Sequence, residues 1–377
     1  MPSAYARTAR PFLHPLAGSL PIGLLRSLHS HGGFARRYSA QVAFMFLGGV
    51  LRWPFCFAER LRTDRRAAAA AFDPPPVFII GHWRSGTTHL HNLLSRDEAF
   101  CFPTILDALR PYEFYPSPFE FISRALLLRS LPATRPMDDL PLQALLPQED
   151  EIALAAMGAP SFFNCLYFPG MMGEIFTREV LFQNPHPGAV EHWATSLRYY
   201  LGKLAALHPD RRLLLKNPAH SARIAQLRAL FPGAKFIHIH RDPIEVVQST
   251  RKLYRSLLPL VALQNYDPIA VDRHIAWAYP ALMGRLLAGV ADLPAADLAQ
   301  VKHAELARNP VGVLENVYSR LALPGFDRAR SAIADYARDH GRESSSTMTA
   351  DPDRSAADAE RLAPFRARLG YSGNTVG

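Results

Sequence analysis

The chain has 377 residues, 49% of them hydrophobic, and can therefore bury one large α/β core or two smaller ones. Its net charge of +9 is concentrated near the start, because residues 1–66 hold ten arginines and only two acids. Nucleic acid is not a predicted partner, since no segment resembles a base-reading or stacking module. Cys56, Cys101 and Cys165 lack disulfide or metal spacing, which favours a reduced, cytoplasmic setting.

Residues 1–73 are predicted to form a basic, amphiphilic helical extension that ends at three consecutive prolines, 74–76. Its apolar stretch, residues 42–51, is shorter than the ~20 residues of a spanning helix, so no transmembrane anchor is predicted. Two interpretations stay open. Residues 36–58 either contact the inner membrane face peripherally, with apolar residues between arginines, or pack on the main domain beneath arginine stems.

The most informative segment of the chain is a glycine-bounded loop, residues 81–88, between a predicted strand at 77–80 and a helix that includes 90–94. A strand, such a loop and a helix N-terminus together form a cradle in which backbone N–H groups approach an anion. In the version of this loop that binds nucleoside triphosphates, a lysine follows the second glycine. Thr87 stands there, and the loop's cation is Arg84. The loop therefore predicts a phosphate-like ligand other than a magnesium-bound triphosphate.

The middle of the chain predicts helices and a pocket rather than further sheet. Eight prolines interrupt the aromatic-rich residues 103–147, which favours short helices and irregular structure around a pocket. Longer helices are predicted at 148–157 and 189–208.

A second strand-rich block begins at Arg212. Strands are predicted at 212–216 and 235–240, helices at 219–231 and 244–253, and a last helix at 358–369. This order predicts a right-handed βαβ unit, and the fold class is α/β with a P-loop-like central parallel sheet flanked by helices. Ligands bind beyond the carboxyl ends of parallel strands. The loop, Lys216 and Arg241 all follow such ends and are expected to form one anion site.

These motifs resemble those of the sulfotransferase superfamily, which transfers a sulfuryl group from 3′-phosphoadenosine 5′-phosphosulfate. Residues 83–88 (WRSGTT) resemble its 5′-phosphosulfate loop in the form found in bacterial and tyrosylprotein sulfotransferases. Residues 236–243 (FIHIHRDP), with Ser249 beyond them, are similar to its 3′-phosphate motif. Residues 215–218 (LKNP) resemble a tyrosylprotein segment whose lysine assists catalysis. Residues 301–306 are weakly similar to a later segment of the family, in which a tyrosine usually stands at the position of His303.

The resemblance implies that residues 74–377 form the sulfotransferase domain, with an acceptor-pocket insertion at about 101–211, and it implies roles for individual residues. Arg84 and Lys216 would neutralise charge on the sulfonate and the bridging oxygen without a metal. The donor's phosphates would be held by Ser85, Gly86, Thr87 and Thr88 of the loop and by Arg241 and Ser249.

The general base is not identified by the resemblance. Tyrosylprotein enzymes carry a glutamate past the loop arginine, but residues 102–105 here read FPTI. Glu149 and Glu151 are the first candidates, and His220, four residues after Lys216, is the next. The alternative for the two glutamates is structural, because acidic residues at the start of a helix stabilise it by interacting with the helix dipole.

The predicted reaction is sulfuryl transfer to an acceptor hydroxyl, and several alternatives are kept. A lipid, polyketide or other apolar alcohol is the preferred acceptor, and a carbohydrate stays open. The alternatives to the reaction itself are an atypical P-loop kinase and a non-catalytic nucleotide-binding or membrane-associated protein. No metal site is predicted, because the histidines at 82, 89, 91, 238 and 240 lack acids or cysteines at ligand spacing.

Overall fold

A computed structural model describes residues 14–130, 145–340 and 352–371 of the protein. Its centre is a five-stranded, wholly parallel sheet in the order β2-β3-β1-β4-β5. The strands are β1 (Val77–Ile80), β2 (Phe100–Cys101), β3 (Arg212–Lys216), β4 (Lys235–His240) and β5 (Leu298–Lys302). Helices cover the sheet, which confirms the predicted α/β class with a central parallel sheet.

Apolar side chains on both faces of the strands explain why the sheet lies at the centre of the protein. Phe78 and Ile80 of β1 point into one core cluster, whereas Val77 and Ile79 point into the other. Alternate residues of a strand project to opposite faces. A strand that is apolar at every position therefore needs helices on both sides, as is typical of parallel sheets.

The larger helical layer contributes to the first core cluster. It contains α1 (Pro21–Ser30), α2 (Ser39–Ala69), α6 (Asp150–Ala156), α7 (Phe163–Tyr167), α8 (Met172–Ile175), α9 (Ala189–Leu207), α10 (Ile224–Leu230), α11 (Pro243–Val261), α12 (Pro268–Ala291) and α16 (Pro352–Arg368). A π-helical turn, Phe176–Val180, extends α8.

The second layer contributes to the other cluster. It consists of α3 (Thr87–Leu94), α13 (His303–Arg308), α14 (Pro310–Leu321) and α15 (Phe326–His340). Two further helices, α4 (Ile105–Leu109) and α5 (Pro118–Ser130), lie in the proline-rich middle of the chain, of which residues 131–144 fall outside the described ranges.

Three predicted elements differ from the structure. The single helix predicted at 219–231 is instead a 3-10 turn, Pro218–Ala222, followed by α10, with a break at Arg223, whose buried guanidinium pairs with Glu151. Helix α11 continues past residue 253 because Tyr254 and Leu258 extend its buried face. Helix α16 begins six residues before the predicted start.

The strands predicted at 212–216 and 235–240 are parallel but not neighbours, since β1 lies between them.

The described part of the N-terminal segment, from residue 14 onward, is mostly helical as predicted, but its second helix is longer than the apolar stretch suggested. Residues 36–69 include a window of mean hydropathy 1.3, so the helix is long and apolar enough to cross a membrane by length and composition. The ten-residue stretch therefore understates the length of this helix, and the expectation of no transmembrane anchor stays a prediction. Only 22% of that window is buried in the fold.

Helix α2 is fastened to the main domain by ion pairs on its inner side. Glu59 pairs with Lys203 of α9, and the Lys203 side chain is fully buried over the ring of Phe114 at 4.0 Å. Arg52 pairs with Glu113. Moving α2 away from the domain would leave a buried charge without its partner, which is energetically unfavourable. These ion pairs therefore keep α2 packed on the main domain.

Gly81 is a position at which the loop requires glycine. Its φ is +148°, and a Cβ there would lie 2.3 Å from the carbonyl oxygen of Ile239. We expect Gly81→Ala to lower the free energy of unfolding by about 2–4 kcal/mol, measured by chemical denaturation. The control is Gly48→Ala in α2, where a Cβ meets nothing within 4 Å. That change should raise the same quantity by about 0.5–1 kcal/mol, and equal stability of the two variants would contradict the prediction.

Candidate functional site

The loop between β1 and α3 has a backbone shape that is suited to binding an anion. Gly86 has a φ of +94° and is the residue that precedes α3, while Arg84 has a φ of +70°, in the left-handed region. The Ser85 hydroxyl donates to the carbonyl of His82 at 2.7 Å and lies 3.3 Å from that of Ile239 in β4. Ser221 bonds both the N–H and the carbonyl of Gly81. The loop is therefore held from two neighbouring elements.

Arg84 and Ser249 meet in the structure, although 165 positions separate them in the chain. The Nε of Arg84 donates to the Ser249 Oγ at 2.9 Å, which brings the loop against α11. Arg241 follows the end of β4, where its Nε donates to Glu245 at 2.5 Å and its side chain keeps 28% exposure. Thr87 and Thr88 begin α3. The structure thus brings residues of the loop, β4 and α11 to one edge of the sheet.

Lys216 and Glu149 form an ion pair at the same edge of the sheet. Lys216 is the last residue of β3, and it pairs in register with Ile79 of β1, two residues before the loop. Glu149 is the N-cap residue of α6, and its Oε1 accepts from the Lys216 Nζ at 2.5 Å. Both side chains are mostly buried, with 4% exposure for the lysine and 12% for the glutamate.

Glu151, the other glutamate candidate, is completely buried and has four internal contacts. Its carboxylate accepts from Asn217 at 2.6 Å and from the backbone N–H of Phe162 at 2.6 Å. Arg223 donates to both carboxylate oxygens, at 3.2 and 3.3 Å. No local pattern predicts this role of Arg223, because the predicted helix 219–231 also contains Arg228 and Glu151 lies 72 positions away in the chain.

His220, the third base candidate, is also completely buried. Its Nε2 lies 2.8 Å from the Oδ2 of Asp150, whose side chain is likewise buried. The ring packs edge-on against Phe78 and Trp193. The three consecutive acids 149–151 therefore contact three different residues on or after β3, namely Lys216, His220 and Arg223.

The C-terminal helix supports the turn that follows β4. Arg366 of α16 donates to the Oδ2 of Asp242 at 3.1 Å, while the Oδ1 of Asp242 caps the start of α11. The Tyr371 hydroxyl lies 3.1 Å from the Nδ1 of His240. No local sequence pattern predicts these contacts, because they join residues more than a hundred positions apart.

The histidines at 82, 238 and 240 and the three cysteines are buried. Burial lowers the pKa of His82 to about 4 and, together with the nearby His240, that of His238 to about 3, so both are neutral near pH 7. Burial also raises the pKa of the Cys101 thiol to about 12. Within the described ranges, no group of three or more His, Cys, Asp or Glu side chains could hold a metal ion.

The fold and the motifs at its sheet edge define a class of protein. A family model described as "Sulfotransferase family" matches residues 75–328, which is more than half of the chain. The chain therefore belongs to the sulfotransferase family, and it is an enzyme that transfers sulfuryl groups.

Particular relatives agree with this assignment. The chain is 30% identical over 317 residues to the omega-hydroxy-beta-dihydromenaquinone-9 sulfotransferase Stf3 of Mycobacterium bovis, covering 84% of this chain and 80% of the relative. The Mycobacterium tuberculosis protein of the same name matches equally. Both relatives act on a lipid-like acceptor, according to their name.

Solved structures show the same fold. Sulfotransferase STF9 of Mycobacterium avium matches with a TM-score of 0.67 and 19% identity, covering 83% of this chain and 81% of that one. Sulfotransferase STF1 of M. tuberculosis matches with a TM-score of 0.60 and 18% identity, covering 91% and 90%. The parallel sheet with its helical layers is thus the fold of sulfotransferases.

Proposed function

We propose that this sulfotransferase moves a sulfuryl group from 3′-phosphoadenosine 5′-phosphosulfate to a hydroxyl of a lipid or other apolar small molecule. The observation that carries the proposal is the contact between Arg84 of the loop and Ser249 of α11, at 2.9 Å. These residues belong to the two motifs that resemble the 5′- and 3′-phosphate sites of the family. Their contact supports a single donor site.

The residues at the sheet edge fit the chemistry of this donor. Arg84 has a left-handed backbone conformation, and Gly86 directly precedes the start of α3. A loop of this shape presents backbone N–H groups and a cation to a phosphosulfate. Ser85, Gly86, Thr87 and Thr88 would hold the 5′ end of the donor. Arg241, still partly exposed, would present its planar fork to the 3′-phosphate, and Ser249 would add a hydroxyl.

Glu149 is the general base in this proposal. It is the candidate that contacts Lys216, and its carboxylate stays partly accessible. It would accept the proton of the acceptor hydroxyl as that oxygen attacks, while Lys216 and Arg84 stabilise the charge that develops on the transferred group and the bridging oxygen. No metal is assigned a role. Glu151 and His220 are assigned structural roles, because they are fully buried and paired with Arg223 and Asp150.

The acceptor class is proposed from the relatives. The two relatives that are 30% identical act on a menaquinone lipid, which supports an apolar alcohol for this chain as well. Residues 101–211 would form the acceptor pocket of a catalytic domain at 74–377, with 1–73 as a helical extension. The proposal also retains a cytoplasmic location and peripheral contact of residues 36–58 with the inner membrane face.

Calorimetric titration with adenosine 3′,5′-bisphosphate tests the donor. We expect Arg241→Ala to weaken its binding by about ten- to a hundredfold, the value of a charge-assisted hydrogen bond. Arg338→Ala, which changes an exposed arginine of α15, is the matched control and should bind normally. Adenosine 5′-monophosphate should bind weakly to every form.

A preference for ATP with magnesium would favour the kinase alternative. Donor binding without turnover of any alcohol or glycan would favour the non-catalytic one.

A further inference from the structure

The exposed apolar side chains of this protein are concentrated on three helices. Within the described residues, nearly every large hydrophobic side chain that faces solvent lies between residues 22 and 145, and only Ile269 and Trp277 lie elsewhere. We call the exposed side of α1, α2 and α5 the apolar face. Its most exposed members include Ile22, Leu47, Leu51, Trp53, Phe121 and Leu126. A patch of this kind on a soluble fold marks a binding surface.

The face is free of charged side chains along most of α2. Between Ser39 and Glu59, the charged residues are Arg52 and Glu59 alone. Arg52 turns inward to Glu113, and Glu59 turns inward to Lys203. The outward side of this segment therefore presents only neutral and apolar groups, including Leu51 with 73% of its surface exposed.

Helix α5 belongs to the same surface. The rings of Phe55 in α2 and Phe119 in α5 stack with their centroids 3.7 Å apart. Arg110 holds α5 in place from the end of α4, donating to Ser123 at 2.6 Å and to Glu120 at 3.2 Å. The exposed Phe121 and its neighbours on α5 thus continue the apolar side of α2.

Arginines flank the face. Arg36 and Arg37 precede α2, whereas a run of four arginines near its end, at 60, 62, 65 and 66, is accompanied by a single acid, Asp64. Arg60, Arg62 and Arg65 are exposed. Apolar side chains bordered by arginines match the two layers of an anionic membrane surface, with acyl chains below and phosphates above.

The apolar face is linked to the candidate site through α4, because Arg110 at its end bonds to α5. Leu145 is 62% exposed, and Glu149 follows four residues later. Pro147 forms an isolated bridge with Thr104, the residue that caps α4. Helix α4 in turn packs against α6, which begins directly after Glu149. Glu149 is therefore separated from α5 of the apolar face by a single helix, α4.

We propose that the apolar face docks on an anionic phospholipid bilayer and that the enzyme takes its acceptor from that bilayer. The second part rests on the proposed function, and the first does not. The face extends the predicted contact of residues 36–58 to α1 and α5. Helix α2 lies in the interface rather than crossing the bilayer, because it packs on α9 and its Glu59 is held by buried Lys203.

Vesicle flotation of the full chain tests the docking without donor or acceptor. The probes are vesicles of phosphatidylcholine mixed with phosphatidylglycerol and vesicles of phosphatidylcholine alone. We expect flotation with the anionic vesicles, and a loss of about ten- to a hundredfold in partitioning for Leu51→Glu and for Phe121→Glu, since each variant removes the burial of one large apolar side chain. Ala332→Glu, an exposed position of α15 on the other side of the sheet, is the control for charge and should float normally.

Several results would overturn the proposal. These are no flotation of the wild type, equal flotation on neutral vesicles, or flotation unaffected by Leu51→Glu and Phe121→Glu. A dimer in buffer that both variants dissociate would assign the face to a second copy instead. Binding of adenosine 3′,5′-bisphosphate by each variant reports an intact fold and keeps docking separate from the donor proposal. Turnover of a water-soluble alcohol that survives Leu51→Glu, while turnover of a vesicle-borne alcohol falls, supports delivery from the bilayer.

Discussion

Turnover should fall by about 10²- to 10⁴-fold when Glu149 is replaced by glutamine, the range that a general base contributes. Glutamine keeps the shape of the side chain and can still accept a hydrogen bond from Lys216, but it cannot take the proton of the acceptor hydroxyl. Binding of adenosine 3′,5′-bisphosphate should stay within a few-fold of the wild type. The measurement is the rate of sulfate-ester formation at saturating donor, with calorimetry on the same preparation.

The control for this variant is Glu315→Gln, which neutralises an exposed carboxylate in α14, outside the proposed acceptor pocket, and should leave the rate unchanged. The pH dependence of turnover provides a second readout, because the limb that reports the base should disappear in Glu149→Gln. If Glu149→Gln keeps the wild-type rate and the wild-type pH profile, Glu149 is not the base and the mechanism proposed for Lys216 and Glu149 is wrong.

Glu151→Gln should act mainly on stability. Arg223 is fully buried, and neutralising Glu151 leaves its guanidinium without a counter-charge. The expected loss in the free energy of unfolding is about 3–5 kcal/mol, measured by chemical denaturation. The double variant Glu151→Gln with Arg223→Met should lose less than the sum of the two single variants, since neither change then leaves a charge unpaired.

Measurements of stability and of turnover therefore distinguish the role of Glu149 from that of Glu151. Glu149→Gln should be stable and slow, while Glu151→Gln should be unstable and, per folded molecule, faster than Glu149→Gln. The reverse result, a stable Glu151→Gln protein without turnover, would identify Glu151 as the base. The predicted difference rests on geometry, because Glu151 contacts Asn217, Arg223 and a backbone N–H, whereas Glu149 contacts Lys216 at the strand end.

Local features of the site could be predicted from the sequence because each depends on residues that are close in the chain. Strands β1, β3 and β4 have the predicted bounds, since each is a short apolar run bounded by turn residues. The break at Arg223 could not be predicted in this way. It depends on a buried carboxylate 72 positions away in the chain, which no local pattern reveals.

The fold class and the glycine-bounded loop follow from the sequence, because a strand, a turn and a helix each form from neighbouring residues. Which acid contacts Lys216 depends on tertiary packing, since the position of α6 brings Glu149 to the end of β3 and buries Glu151 with Arg223. Tertiary packing also decided which side of α2 faces solvent, because the buried pair of Glu59 and Lys203 turns the apolar side outward. Burial and pairing of charges involve residues far apart in the chain, and folding alone brings them together.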